Sequence, residues 1–99
     1  MVVGVCRLTL SIAEGYSLKD KRRVVKAVIE RVRHRFNVAV AEVDEHEIWN
    51  EAVVGVCCVS TARNHANDIM QAVVSFVQSG QGHEGAELID YTTEVMTGF

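Results

Sequence analysis

The run Val2-Val3-Gly4-Val5-Cys6-Arg7-Leu8-Thr9-Leu10-Ser11-Ile12 decides the fold. From Cys6 onward it alternates strictly. Cys6, Leu8, Leu10 and Ile12 share one face while Arg7, Thr9 and Ser11 share the other, the two-residue period of a strand with one side buried. Such a strand needs a second layer over its apolar face, and two helical patterns supply it. After a turn at Gly15 and Tyr16, Ser17 stands as an N-cap with Asp20 three residues on, a weaker relative of the capping box. Leu18, Val25, Ile29, Val32 and Phe36, flanked by Val24 and Val28, then recur at helical spacing and predict a helix over about 18–36. The second pattern takes Asn64 as cap, buries Ala66, Ile69, Met70, Val73 and Val77, and stops at Gly80.

Three more strands complete the chain. Residues 38–43 lead into the acidic segment Asp44, Glu45, His46, Glu47, which is expected to be a solvated loop anchored by buried Ile48 and Trp49. The stretch 52–60 is apolar on both faces, with Val53, Cys57 and Val59 pointing one way and Val54, Val56 and Cys58 the other. Beyond the glycine-rich turn 80–85, Ile89, Tyr91 and Val95 alternate against Asp90 and Glu94. The order βαββαβ predicts an α+β, ferredoxin-like split βαβ fold: a four-stranded antiparallel sheet carrying two helices on one face. The first and third strands, the most apolar, belong in its centre. With 99 residues, 48% apolar and 23% charged, the chain fits one domain over 1–99 and can bury a core without staples.

Cys6, Cys57 and Cys58 form no CxxC pair and lie in apolar runs, the pattern of buried, reduced thiols. The opening stretch is too short and polar for a signal peptide or membrane span, so the cytoplasm is the expected location and a membrane partner is not expected. A net charge of −3 conceals an asymmetry. Eight of the ten basic residues lie between Lys19 and Arg35 against two acids, a local charge of +6, while the rest carries two basic residues against eleven acids, or −9.

Met1 to Val5, the run Ser17-Leu18-Lys19-Asp20-Lys21-Arg22-Arg23-Val24-Val25-Lys26, the segment from Arg35-Phe36-Asn37-Val38 to Ala41-Glu42-Val43-Asp44, and Trp49 together carry a family resemblance. The chain resembles the bacterial YlxP-like proteins, a family of unknown function, over nearly its whole length. That resemblance implies a ferredoxin-like fold. It also implies a gene neighbourhood of translation initiation and ribosome-maturation factors. It brings no catalytic or binding residues that could be carried over.

The basic helix is the strongest candidate for a site. At 100° per residue, Lys19, Arg22, Lys26 and Arg33 fall in a stripe roughly 60° wide and about 21 Å long, suited to tracking a phosphate backbone. Glu30 intrudes beside it, within i, i+4 reach of Lys26. Lys19, Lys21 and Arg22 also occupy the first turns, where the helix dipole disfavours cations. With the Ser17 hydroxyl and free backbone N–H groups they would form a phosphate-binding corner. Ser17, Lys19, Lys21, Arg22, Arg23, Lys26 and Arg33 are therefore the expected nucleic-acid contacts, and ribosomal or precursor ribosomal RNA the expected partner. The competing class is a homo-oligomeric adaptor in which the same helix recognises an acidic protein, and a plain solvated helix face is the structural alternative.

Recognition by base stacking is not expected, since neither central strand carries an aromatic residue and only Tyr91 could reach the open sheet face. The third strand leaves apolar side chains on whichever face stays uncovered, so self-association through the open face or an edge strand is expected. No metal or cofactor is expected: consecutive residues of the acidic loop cannot converge on one ion. No GxGxxG, Walker, HExxH or GxSxG pattern occurs, and no catalytic residue or enzymatic activity is expected.

Overall fold

A computed structural model describes residues 1–13, 17–44, 49–80 and 85–99. The turn at Gly15 and Tyr16, the loop residues Glu45, His46, Glu47 and Ile48, and His83 of the glycine-rich turn lie outside the described residues. The elements are β1 (Val2–Ile12), α1 (Leu18–Arg35), β2 (Ala39–Asp44), β3 (Glu51–Ser60), α2 (Arg63–Gln78) and β4 (Ala86–Met96). They form one antiparallel sheet in the order β2-β3-β1-β4 with the two helices, the ferredoxin-like α+β arrangement.

The alternation of β1 holds along its length. Cys6, Leu8, Leu10 and Ile12 are at most 2% exposed, and they pack with Val54, Val56 and Cys58 of β3 beneath Val24, Val25, Val28 and Val32 of α1 and Ala66, Met70, Val73, Val74 and Val77 of α2. Gly4 lets α2 approach this closely. A Cβ there would stand 2.9 Å from Cys58 Sγ, 3.1 Å from Met70 Cγ and 3.2 Å from the Ala66 carbonyl oxygen. At the far ends of the helices, the Phe36 and Phe76 rings meet edge to face at 5.7 Å, with the Arg35 guanidinium 5.1 Å over Phe76.

Several expectations need correction. Leu18 does not join the buried stripe of α1; it is 67% exposed because it sits at the first helical position, beyond the edge of the core. Asn64 does not cap α2, whose N-cap is Ala62, two residues earlier; there the Ser60 hydroxyl receives the Ala62 N–H at 3.1 Å and meets His65 Nδ1 at 2.8 Å. Trp49 is 53% exposed rather than buried; the neighbouring turn is fastened to β1 by the backbone, with the Ile12 N–H donating to the Asn50 carbonyl at 2.6 Å. Cys57 is only half-buried, because it faces away from the helices. In β4 a bulge beside Ile89 breaks the alternation, so Tyr91 lies opposite Leu8 on the helix side and does not face the open side. The open face therefore carries no aromatic side chain from the central strands or from Tyr91.

The open face is divided. At one end Val3, Val5, Cys57, Val59 and Met96 lie together by register, with Val59 66% exposed. Towards the other, Arg7 reaches across β3 to Asp44 at 3.2 Å, Val43 lies over Gly55, and Val53 is 1% exposed although it points away from both helices.

Candidate nucleic-acid interface

The basic helix begins at a full capping box. The Ser17 hydroxyl accepts the Asp20 N–H at 3.2 Å and donates to Asp20 Oδ2 at 2.8 Å, while the Ser17 N–H donates to the same carboxylate at 3.2 Å. Those bonds from the Ser17 hydroxyl and N–H, with the nearby Arg23 guanidinium, hold the Asp20 carboxyl below its ordinary range. Arg23 meets it at 2.9 Å. This changes the phosphate-binding corner drawn from the sequence. Asp20 supplies the negative charge that the helix dipole and Ser17 favour, so Ser17 and Arg23 already have an internal anion.

The ridge behind that corner is different. Lys19, Arg22 and Lys26 are exposed, Lys21 is half-buried, and none of the four has an ion pair within 4 Å among the described residues. Glu30, expected beside Lys26, turns to Arg33 at 3.4 Å. Arg33 is further held by the Val40 carbonyl at 3.0 Å, which ties the end of the stripe to the edge of β2. Of the expected contacts, the helix therefore brings Lys19, Arg22 and Lys26 into one line of unpaired charge, with Lys21 beside them, and ties up Ser17, Arg23 and Arg33.

The stripe overlooks a groove of about 580 Å³ between α1 and the β2 side of the sheet. Leu18, Val25 and Ile29 give it an apolar side. Lys21, Arg22 and Lys26 line the helix wall, and Glu42, Asp44 and Glu51 line the sheet wall. That acidic wall is the feature sequence reasoning missed. Its signal was present in the exposed Glu42 and Asp44 of β2, but only the pairing of β2 beside β3 sets them across from α1.

Comparison with known proteins agrees with this architecture. The family described as "Protein of unknown function (DUF503)" matches residues 3–93. The chain belongs to that family. It is 31% identical over 78 residues to the "Uncharacterized protein YlxP" of Bacillus subtilis strain 168, spanning 79% of this chain and 85% of that one. The matched span takes in the Ser17 to Lys26 run and both walls of the groove of this chain. Two solved structures share the fold alone. The "De novo designed protein Foldit4" superposes with a TM-score of 0.56 at 15% identity over the whole of both chains. A crystal structure of an amidase of the hydantoinase/carbamoylase family from Burkholderia phymatum gives 0.58 at 13% identity, over 99% of this chain and 29% of that chain.

Among the described residues no three His, Cys, Asp or Glu side chains gather as a metal site, and no helix is long and apolar enough to cross a membrane. Burial pushes the Cys6 thiol up to about 11, which leaves it protonated at neutral pH and a poor nucleophile.

Proposed function

We propose that this chain is a non-catalytic binding module that lays the outer face of α1 along the phosphate backbone of structured RNA. One observation carries the reading: Lys19, Arg22 and Lys26 are aligned and exposed, with no ion pair among the described residues, on a helix of charge +6, while the remainder of the chain carries −9. Unpaired cations along a line release counterions when phosphates replace water around them. The acidic remainder, including Glu42 and Asp44 across the groove, repels a polyanion from other approaches and so fixes its orientation. Ribosomal or precursor ribosomal RNA is the first class to test, because the family resemblance implies a gene neighbourhood of translation initiation and ribosome-maturation factors. The test is co-sedimentation with 30S, 50S and precursor particles at two salt concentrations. Association that weakens steeply with salt supports the reading, and absence from every particle at the lower salt refutes it.

A second reading rests on the apolar side of the groove. Leu18, 67% exposed, with Val25 and Ile29, would hold the apolar residues of an acidic protein segment while Lys21, Arg22 and Lys26 met its carboxylates. On that reading Leu18→Ser weakens binding as strongly as loss of a cation. On the RNA reading it does not.

A further inference from the structure

The two edges of the sheet are built differently. β2 is six residues long, has a bulge between Glu42 and Asp44, and has its Val40 carbonyl taken by Arg33 at 3.0 Å. β4 is eleven residues long and bears no Lys, Arg or Pro; its charges are the acids Glu87, Asp90 and Glu94, and a pairing of the regular stretch must keep the last two from facing like charge. Its own bulge lies beside Ile89 and leaves Asp90 to Met96 as regular strand, with Tyr91 43% and Met96 41% exposed.

The neighbouring helix matches that edge. The Gln71 amide reaches Thr93 Oγ1 at 3.5 Å, so α2 runs close to β4. Only Arg63 and Asp68 are charged among the 16 residues of α2, and Asn67, Gln71, Ala72, Ser75 and Gln78 make its exposed side neutral. Depletion of charge is the compositional mark of an interface core.

We propose that a second copy of this chain pairs its β4 antiparallel with β4, about a two-fold axis through Thr93, to give a continuous eight-stranded sheet. With both helix layers on one side, paired residues must share a face, so the axis falls on a residue and not between two. An axis at Thr92 would set Asp90 against Glu94, and one at Glu94 would set that carboxylate against its own copy. An axis at Tyr91 would run the pairing into the bulge at Ile89. At Thr93 the register places Tyr91 against Val95 on the helix side, and Thr92 against Glu94 and Asp90 against Met96 on the open side, each pair occurring twice with no like charges opposed. Seven paired residues alone fall short of the roughly 1,200 Å² that specific interfaces bury, so the pairing requires the neutral face of α2 to meet its copy as well. The two α1 ridges then lie outermost, beside edge strands about 34 Å apart across seven strand spacings. This pairing stands independently of the nucleic-acid reading.

The experiment is sedimentation velocity over a wide concentration range on the wild type, Thr92→Glu and Thr92→Lys. Thr92 is exposed and lies opposite Arg7 within its own chain, with Asp90 and Glu94 on the same face to either side, so both charges are tolerated by the fold. Their effects on the dimer have opposite signs. Glu faces Glu94 of the second copy at two places and weakens association by about two- to thirty-fold, while Lys strengthens it over the same range. Urea midpoints measured alongside separate folding from association. A wild type that sediments as a monomer at the highest concentration overturns the proposal, as do two substitutions that leave the dissociation constant unchanged or move it in the same direction.

Discussion

Replacing Lys19, Arg22 and Lys26 together with Gln separates binding from folding more cleanly than any single change in α1. None of the three has an ion pair among the described residues, and all are exposed, so the variant loses no partner. Gln matches Lys and Arg in helix propensity. Lys19 lies in the first turn of α1, where removing a cation relieves about 0.3 kcal/mol or more against the helix dipole. The urea midpoint should therefore hold or rise, within about 0.5 kcal/mol. Binding should respond sharply. If each cation neutralises one phosphate, the log–log salt slope falls by about 0.7 to 0.9 per contact, or by about 2 to 3 in all. A fourfold rise in salt then weakens the wild type about twenty- to forty-fold more than the variant. Fluorescence anisotropy with a labelled ribosomal RNA hairpin, titrated at several salt concentrations, measures the difference. Arg23→Gln is the control, since its guanidinium already faces Asp20 at 2.9 Å and should contribute less to the slope. Equal slopes for the wild type and the triple variant would refute the reasoning, because the charges would then not be at the interface.

Other outcomes follow from the packing and the caps. Gly4→Ala forces a methyl against Cys58, Met70 and the Ala66 carbonyl in a closed core and should cost about 1–3 kcal/mol by urea denaturation. Gly55→Ala meets Val43 Cγ1 at 2.6 Å, but Val43 is 56% exposed and can turn aside, so its cost should be clearly smaller. The Asp20 carboxyl is lowered in the folded state, so its contribution is complete above the unfolded-state value and is lost as pH falls through the folded value. The stability gap between the wild type and Asp20→Asn should accordingly shrink with acidification, and a gap independent of pH would contradict the capping box. In thiol labelling at neutral pH, half-buried Cys57 should react first, while Cys6, pushed up to about 11, and buried Cys58 should wait for unfolding; mass spectrometry of partly labelled protein reads the order.

Where periodicity and burial have one cause, the residues announced the structure. The alternation of β1 and the two-sided apolar character of β3 correctly put both strands at the centre, because a central strand is flanked along both edges and covered by the helices on one face. The misreadings occur where a local choice is decided by a neighbour distant in sequence. Ile89, Tyr91 and Val95 look equivalent at two-residue spacing, but the bulge opposite Thr9 and Leu10 removes Ile89 from the series and settles which side Tyr91 takes. Asn64 is as good a cap by composition as any, yet Ser60 at the end of β3 reaches the start of α2 first.

The candidate site shows the same division between position and pairing. A helical wheel can align Lys19, Arg22, Lys26 and Arg33, because the helix fixes their angles. It cannot tell which of them is already neutralised, since that depends on rotamers and on strands elsewhere in the chain. Arg33 loses its freedom to Glu30, three residues away, and to Val40 on the adjacent strand. Lys21, Arg22 and Lys26 keep theirs although Glu42, Asp44 and Glu51 line the opposite wall of the groove. Those carboxylates lower the potential over the groove but leave the outward side of α1, where Lys19 points with Arg22 and Lys26, facing solvent. A polyanion should therefore meet the crest of the helix and not the groove beside it, and α2, with two charged residues in 16, offers it no comparable surface.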